Sequence, residues 1–298
     1  MRVVTRPDFD GVVCAALLFE AENVIKPVKW VEPDDIQKGL FAAQEDDIMA
    51  NLPYDERCAL WFDHHYTNQI HEPFKGAFKL APSAAGIVFE YYQEKFKRDY
   101  SELIKQTDKV DSADLSIDEI VRPEKYPYVL LSMTILGREQ PDEPHWNNLV
   151  DLLTKFEIKS VMENPEVKKR CKQVAGQNET YKALLEKHTQ LQDHVAITDF
   201  RSLDKTPIGN RFLSYALFPE SVVNVKIRYN NDDRETIHIS VGHSIVNRNC
   251  YVNVGLMLSR FEGGGHRGAG ACRFHVSKVD EYLPEIIDIL LKNKPNKK

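Results

Sequence analysis

The chain has 298 residues, 42% of them hydrophobic and 28% charged, with a net charge of −6, which suggests about two domains of ordinary globular composition. The acidic balance argues against duplex DNA as a partner, since duplex binding usually needs a basic face, but it leaves room for a small phosphorylated ligand in a local basic pocket. The apolar run Val12 to Phe19 is too short to span a membrane, and five scattered cysteines without CxxC spacing read as reduced core residues of a cytoplasmic protein with no signal peptide.

Met1 to Thr5 is strand-like and runs into Arg6-Pro7-Asp8-Phe9-Asp10-Gly11, with a helix expected over Val12 to Glu22. That is the first half of a βα unit. Its loop offers two carboxylates two residues apart, an arrangement suited to a divalent cation. One of them would suffice to cap the helix, so the second calls for another role. Further strands are expected at Pro27 to Val31, Asp47 to Leu52, Ala59 to Phe62 and Gly76 to Leu80, with a short helix starting near Asp34. Strands alternating with helices give an α/β class with a largely parallel sheet.

The fourth strand stops abruptly at Asp63-His64-His65, which would emerge at the carboxyl end of the sheet, where open α/β sheets bind ligands. Asp and His are typical ligands for Mn²⁺, Zn²⁺ or Fe²⁺. Pro82 to Gly86 opens an amphipathic helix capped by Ser83; its N-terminus is either simply capped or an anion seat. The stretch from Tyr100 to Lys155 is mostly helical and carries Asp108, Asp111 and Asp114, either a solvated helix end or a further metal ligand. Asn164-Pro165 starts a long polar helix expected to reach about Gln192, a connector between domains.

The second domain starts near His194. Strands are expected over Val195 to Phe200, Val222 to Tyr229, Glu235 to Val241 and Ala271 to Val276. The second and third are joined by the hairpin signal Asn230 to Asp233. Helices are expected over Ile208 to Phe218, Val252 to Phe261 and Lys278 to Lys292, followed by a frayed basic tail. Glu262 to Gly270 carries Gly263, Gly264, Gly265, His266 and Arg267. Glycine-rich backbone exposes N–H groups and binds anions, phosphate above all, and His266 and Arg267 add donors. No Walker or Rossmann spacing is present.

Taken in order, Asp8-Phe9-Asp10-Gly11, Asp63-His64-His65, the Asp108/Asp111 stretch and Gly263-Gly264-Gly265-His266 resemble the DHH phosphoesterase superfamily. Ser244 to Arg248 is similar to the substrate-contacting segment of its DHH-associated domain, found in RecJ-type exonucleases, nano-RNases, cyclic-dinucleotide phosphodiesterases and proteins labelled exopolyphosphatase-related. The resemblance implies a DHH metal-binding domain over residues 1–160, a connector helix over 161–193 and a smaller α/β DHH-associated domain over 194–298. It implies Mn²⁺ (or Mg²⁺) held by Asp8, Asp10, His64, Asp63 and Asp108 or Asp111, with His65 and Asp63 serving the scissile phosphate. Arg248, Gly263 to Gly265, His266 and Arg267 would hold the terminal phosphate in a cleft between the lobes. A homodimer is compatible with this reading.

Two positions depart from the pattern. Val4 stands where many members have a histidine, and Asn51 stands where the preceding strand carries a bridging aspartate. Arg6 lies in the same loop, is expected among the phosphate-binding residues, and would supply some of the lost positive charge. The expectation is about one firmly bound Mn²⁺ with a second weak. The function is hydrolysis of phosphoester or phosphoanhydride bonds in a short oligonucleotide, a cyclic dinucleotide, phosphoadenosine phosphate or polyphosphate. The alternative is a catalytically impaired nucleotide- or phosphate-binding protein on the same fold.

Overall fold

The computed structural model describes residues 1–137, 141–230 and 234–296. In chain order the elements are β1 (Arg2–Thr5), α1 (Phe9–Ala21), β2 (Lys29–Trp30), α2 (Pro33–Gln37), β3 (Asp47–Ala50), β4 (Leu60–Asp63), β5 (Gly76–Phe78), α3 (Ala84–Tyr91), α4 (Ser101–Asp111), α5 (Ile117–Val121), α6 (Pro127–Ser132), α7 (Glu143–Lys155), α8 (Ile158–Glu163) and α9 (Pro165–His188). There follow β6 (Thr189–Gln192), β7 (Val195–Asp199), α10 (Leu213–Leu217), β8 (Val223–Tyr229), β9 (Thr236–His243), α11 (Val254–Leu258), β10 (Gly263–Gly265), β11 (Ala269–His275) and α12 (Val279–Lys292). The fold is α/β.

The chain divides into two compact units, one of Met1–Leu115 with Arg122–Val174 and one of Ser116–Val121 with Ala175–Lys298. The boundary therefore falls inside α9. The short α5 goes with the second unit, where Asn210 Nδ2 donates to the Ile120 carbonyl.

The first unit is built on a five-stranded sheet of order β2-β1-β3-β4-β5, parallel throughout. In such doubly wound sheets the strand order reverses between β1 and β3, and ligands bind at the carboxyl ends beside that point. Val4, Met49 and Trp61 are in lateral register and form the core of one face. Trp61 is fully buried, stacks on Phe78 and donates its Nε1 hydrogen to the Leu52 carbonyl at 2.8 Å. Val4 is thus a packing residue. On the other face α1 is buried along nearly its whole length. This explains its uniformly apolar sequence, since a helix hydrophobic all round is a core helix.

The second unit holds a six-stranded sheet of order β10-β11-β9-β8-β7-β6, in which β7 and β8 are parallel and the other pairs antiparallel. Val225, Ile239 and Cys272 belong to a core that also takes in Ile286 and Leu290 of α12.

Several boundaries differ from the sequence expectation for local reasons. Helix α1 begins at Phe9 because Asp8 is its N-cap, accepting from the Gly11 amide. Asp10 is therefore in the first helical turn and not in a loop. Helix α9 stops at His188, and Thr189–Gln192 pairs as an edge strand with β7. The helix expected over Ile208 to Phe218 shrinks to α10. The residues after α12 are tied down as far as Asn296: Asn293 and Asn296 accept from the Tyr251 and Asn253 amides. Of the hairpin signal, Asn231 to Asp233 lies outside the described residues.

Candidate metal centre

The carboxyl ends of β1, β3 and β4 bring Asp8, Asp10, Asn51, Asp63, His64 and His65 to one edge of the first sheet. Gly11 makes the β1–α1 turn feasible, because a Cβ there would lie 2.0 Å from the Arg6 carbonyl oxygen.

Asp10 is 1% exposed, and its two oxygens accept from the main-chain amides of Ala84 and Ala85 at 2.9 and 2.8 Å. The N-terminus of α3 is thus already occupied by a carboxylate, which settles the choice left open for Pro82 to Gly86. It is not an empty phosphate seat. Ser83 caps that helix through Gly86 and donates its hydroxyl to Asp108 at 2.5 Å.

His64 Nδ1 is 2.9 Å from the Ala81 carbonyl oxygen, which fixes Nδ1 as the protonated nitrogen and turns Nε2 inward as a lone pair. That Nε2 is buried without a hydrogen-bond partner. It lies 3.8 Å from Asp10 Oδ2 and 3.4 Å from Asp111 Oδ2, both longer than a hydrogen bond. One ligand atom from each of Asp10, His64 and Asp111 lies within 4.8 Å of the others. Burial, the mutual repulsion of the carboxylates and Asp8 push Asp111 up to about 7. Burial and Asp8 push Asp10 up to about 7 as well. An orphaned imidazole lone pair facing two crowded carboxylates fits a divalent cation, and a carbonyl on the far nitrogen is the usual support of a metal-binding histidine.

Asp108 and Asp111, three residues apart, part company here. Asp111 faces His64, whereas Asp108 is engaged by Ser83 and faces Gly86. Asp63, fully buried, forms with His64 and His65 a second group whose ligand atoms lie within 4.8 Å of one another, and both its oxygens have partners. One oxygen lies 2.8 Å from His65 Nδ1 and the other accepts from Asn68 Nδ2 at 2.6 Å. The hydrogen bond to Asp63 raises the pKa of His65 and orients its Nε2 outward. Asp8 is likewise engaged. Its Oδ1 accepts from the Gly11 amide and from Asn51 Nδ2 at 3.0 Å, and its Oδ2 lies 3.2 Å from Arg6 Nε. Asn68 and the Ala81 carbonyl were not among the residues singled out from the sequence, whereas the Ala84 and Ala85 amides lie in the helix start offered there as an anion seat, which the Asp10 carboxylate takes. A polar residue three positions after His65 was the one available signal for Asn68.

Comparison with known proteins bears on the fold. No protein-family model and no curated protein matches the chain. Among solved structures, the pGpG-specific phosphodiesterase PggH from Vibrio cholerae superposes with a TM-score of 0.85 at 29% identity, covering 98% of this chain and 99% of its own. An exonuclease RecJ bound to manganese gives 0.53 at 11% identity over 98% and 90% of the two chains. The chain thus shares the fold of the DHH phosphoesterases, whose motifs its sequence resembles. RecJ from Thermus thermophilus in complex with Mn²⁺ gives 0.55 at 11% identity, over 100% of this chain and 53% of that one, a likeness of fold.

The second unit carries its candidate residues on hydrogen-bonded backbone. Gly263–Gly265 is an edge strand paired with β11, not a free loop. The turn after it is held at both ends. The His266 amide donates to Ala269, and the carbonyls of His266 and Arg267 accept from Gly255 and Val254 at the start of α11. His266 and Arg267 are exposed on this hydrogen-bonded turn. A Cβ on Gly263 would meet Cys272, and Gly265 has φ of 143°, but a Cβ on Gly264 would meet nothing within 4 Å. Arg248 is exposed after a turn closed by Ser244 Oγ, which accepts from Val246 and Asn247.

Proposed function

We propose that this chain is a divalent-metal-dependent phosphoesterase that hydrolyses a small nucleotide-type substrate, a linear dinucleotide or short oligonucleotide. The observation that carries it is the buried, unpartnered His64 Nε2 facing Asp10 and Asp111. The likeness to a pGpG-specific phosphodiesterase over nearly the whole of both chains supports the substrate class. Asp10, His64 and Asp111 would hold Mn²⁺ or Mg²⁺. When bound, such a cation supplies Lewis acidity toward water and phosphoryl oxygens.

The chain's own residues do the rest. The Ala84 and Ala85 amides fix both Asp10 oxygens, so the carboxylate is pre-aimed. Asp63 holds His65 with its Nδ1 proton inward and favours the charged imidazolium, leaving Nε2–H to donate to a phosphoryl or leaving oxygen. Gly264, His266, Arg267 and Arg248 would grip the terminal phosphate, with the open space at Gly264 admitting an oxygen close to the backbone.

The test is product release from pGpG, phosphoadenosine phosphate, a cyclic dinucleotide and polyphosphate, each with and without Mn²⁺. Mn²⁺-dependent cleavage of the linear dinucleotide, lost in Asp10→Asn and His64→Ala, is expected. Tight nucleotide binding with no turnover under any metal would instead favour the non-catalytic reading, which the engagement of Asp8 by Asn51 and Arg6 supports.

A further inference from the structure

Asp8, the N-cap of α1, has both oxygens engaged. Gly11 and Asn51 donate to one, and the Arg6 guanidinium sits beside the other. Asn51 is 1% exposed and contributes a neutral amide where a second anionic ligand would be needed. A divalent cation requires several anionic or imidazole ligands to offset its desolvation, and one placed at Asp8 would also be repelled by the Arg6 charge. Arg6 is anchored through Nε between Asp8 and Glu32, the latter at 3.8 Å, and its side chain is 38% exposed. Its terminal nitrogens make no hydrogen bond to the described residues. Its charge is felt at His65, where it opposes protonation. A planar guanidinium whose Nη1/Nη2 edge is free matches a phosphate in bidentate geometry.

We propose that the Arg6 guanidinium, in place of a second divalent cation, binds the substrate phosphate on the Asp8 side of the site. This rests on the phosphoesterase reading above and specifies its working charge as one bound cation plus one built-in arginine. Asp8 and Glu32 hold the guanidinium in place and Asn51 completes the shell of Asp8.

The test is calorimetric titration of metal-stripped protein with Mn²⁺, then of the Mn²⁺-saturated protein with inorganic phosphate. Wild type is expected to take one equivalent of Mn²⁺. Arg6→Ala is expected to keep that equivalent and lose about tenfold or more in phosphate affinity, the range of one charge-assisted hydrogen-bonded contact. Arg6→Lys should recover part of it. Asn51→Asp should admit a second equivalent, because it places two carboxylates together. Two equivalents in wild type would overturn the inference and leave the phosphoesterase reading standing. Unchanged phosphate affinity in Arg6→Ala would also overturn it. Folded wild type that takes up no Mn²⁺ would overturn both.

Discussion

His64 presents a buried, unpartnered Nε2 to Asp111 Oδ2 at 3.4 Å, from the end of β4 to the end of α4. Without a cation this contact sets a lone pair against a carboxylate that burial and Asp10 have pushed up to about 7. A proton is the other occupant that relieves the crowding, so cation and proton compete. Mn²⁺ affinity should therefore fall as pH drops below about 7, by up to about tenfold per pH unit for each proton displaced. Calorimetry at pH 6 and pH 8 in buffers of different ionisation enthalpy reads both the affinity and the proton release. Equal affinities with no proton release would contradict the assignment.

Asn68 acts on His65 through Asp63. It donates to the Asp63 oxygen that His65 does not use, so the buried carboxylate has a donor on each side. Asn68→Ala leaves one oxygen bare and Asn68→Asp adds a like charge beside it. Each should lower kcat by about tenfold to a hundredfold, the range for supporting partners of this kind, with KM little changed. The pH–rate profile separates this role from a structural one. The limb set by His65 should move to lower pH in Asn68→Ala if Asp63 is turned away from the imidazole.

Much of this site was legible in the sequence because parallel strands end abruptly. The apolar run Ala59 to Phe62 reads as a buried strand, which places Asp63, His64 and His65 at its carboxyl end, as observed. Asp8 and Asp10 followed from the same logic at β1. Two things did not follow. Asp108 and Asp111 are spaced i, i+3 and share a helix face, so their separate roles depend on Ser83, which reaches Asp108 from another helix. The glycine run reads as a free loop in the sequence because a three-residue strand without side chains has no alternation to detect. Its pairing with β11 comes from the tertiary fold.

The glycines of that strand give a paired prediction. Gly264 has open space where its Cβ would go. Gly264→Ala should therefore fold with a stability within about 1 kcal/mol of wild type, while KM for phosphorylated substrate rises. Gly11→Ala puts a Cβ 2.0 Å from the Arg6 carbonyl oxygen. It should cost more than about 3 kcal/mol or prevent folding, as expected where the backbone cannot relax. Chemical denaturation of both variants and the KM of the first check the pair. A destabilised Gly264→Ala would mean that the fold, and not a ligand, needs the glycine.

His145 sets an acid limit on stability. It is 2% exposed on α7, and its Nε2 lies 2.9 Å from Thr134 Oγ1, whose own hydroxyl donates to the Leu131 carbonyl. Thr134 is therefore the acceptor, Nε2 carries the proton, and the buried Nδ1 has no partner. Burial and the nearby Arg170 push the imidazole down to about 4. The unfolded chain takes up this proton from about pH 6.5 downward, and the folded protein only near 4. Stability contributed by the neutral ring is thus full above about 6.5 and lost as pH falls toward 4, at no more than about 1.4 kcal/mol per pH unit. Asp10 and Asp111 titrate in the opposite sense in metal-free protein, so the quantity to read is the difference between His145→Gln and wild type. Glutamine keeps a donor for Thr134 and has no charge to gain. Urea denaturation at pH 7.5, 6.0 and 5.0 should show the variant gaining on wild type as the solution is acidified, and parallel curves would show that His145 is not the group responsible.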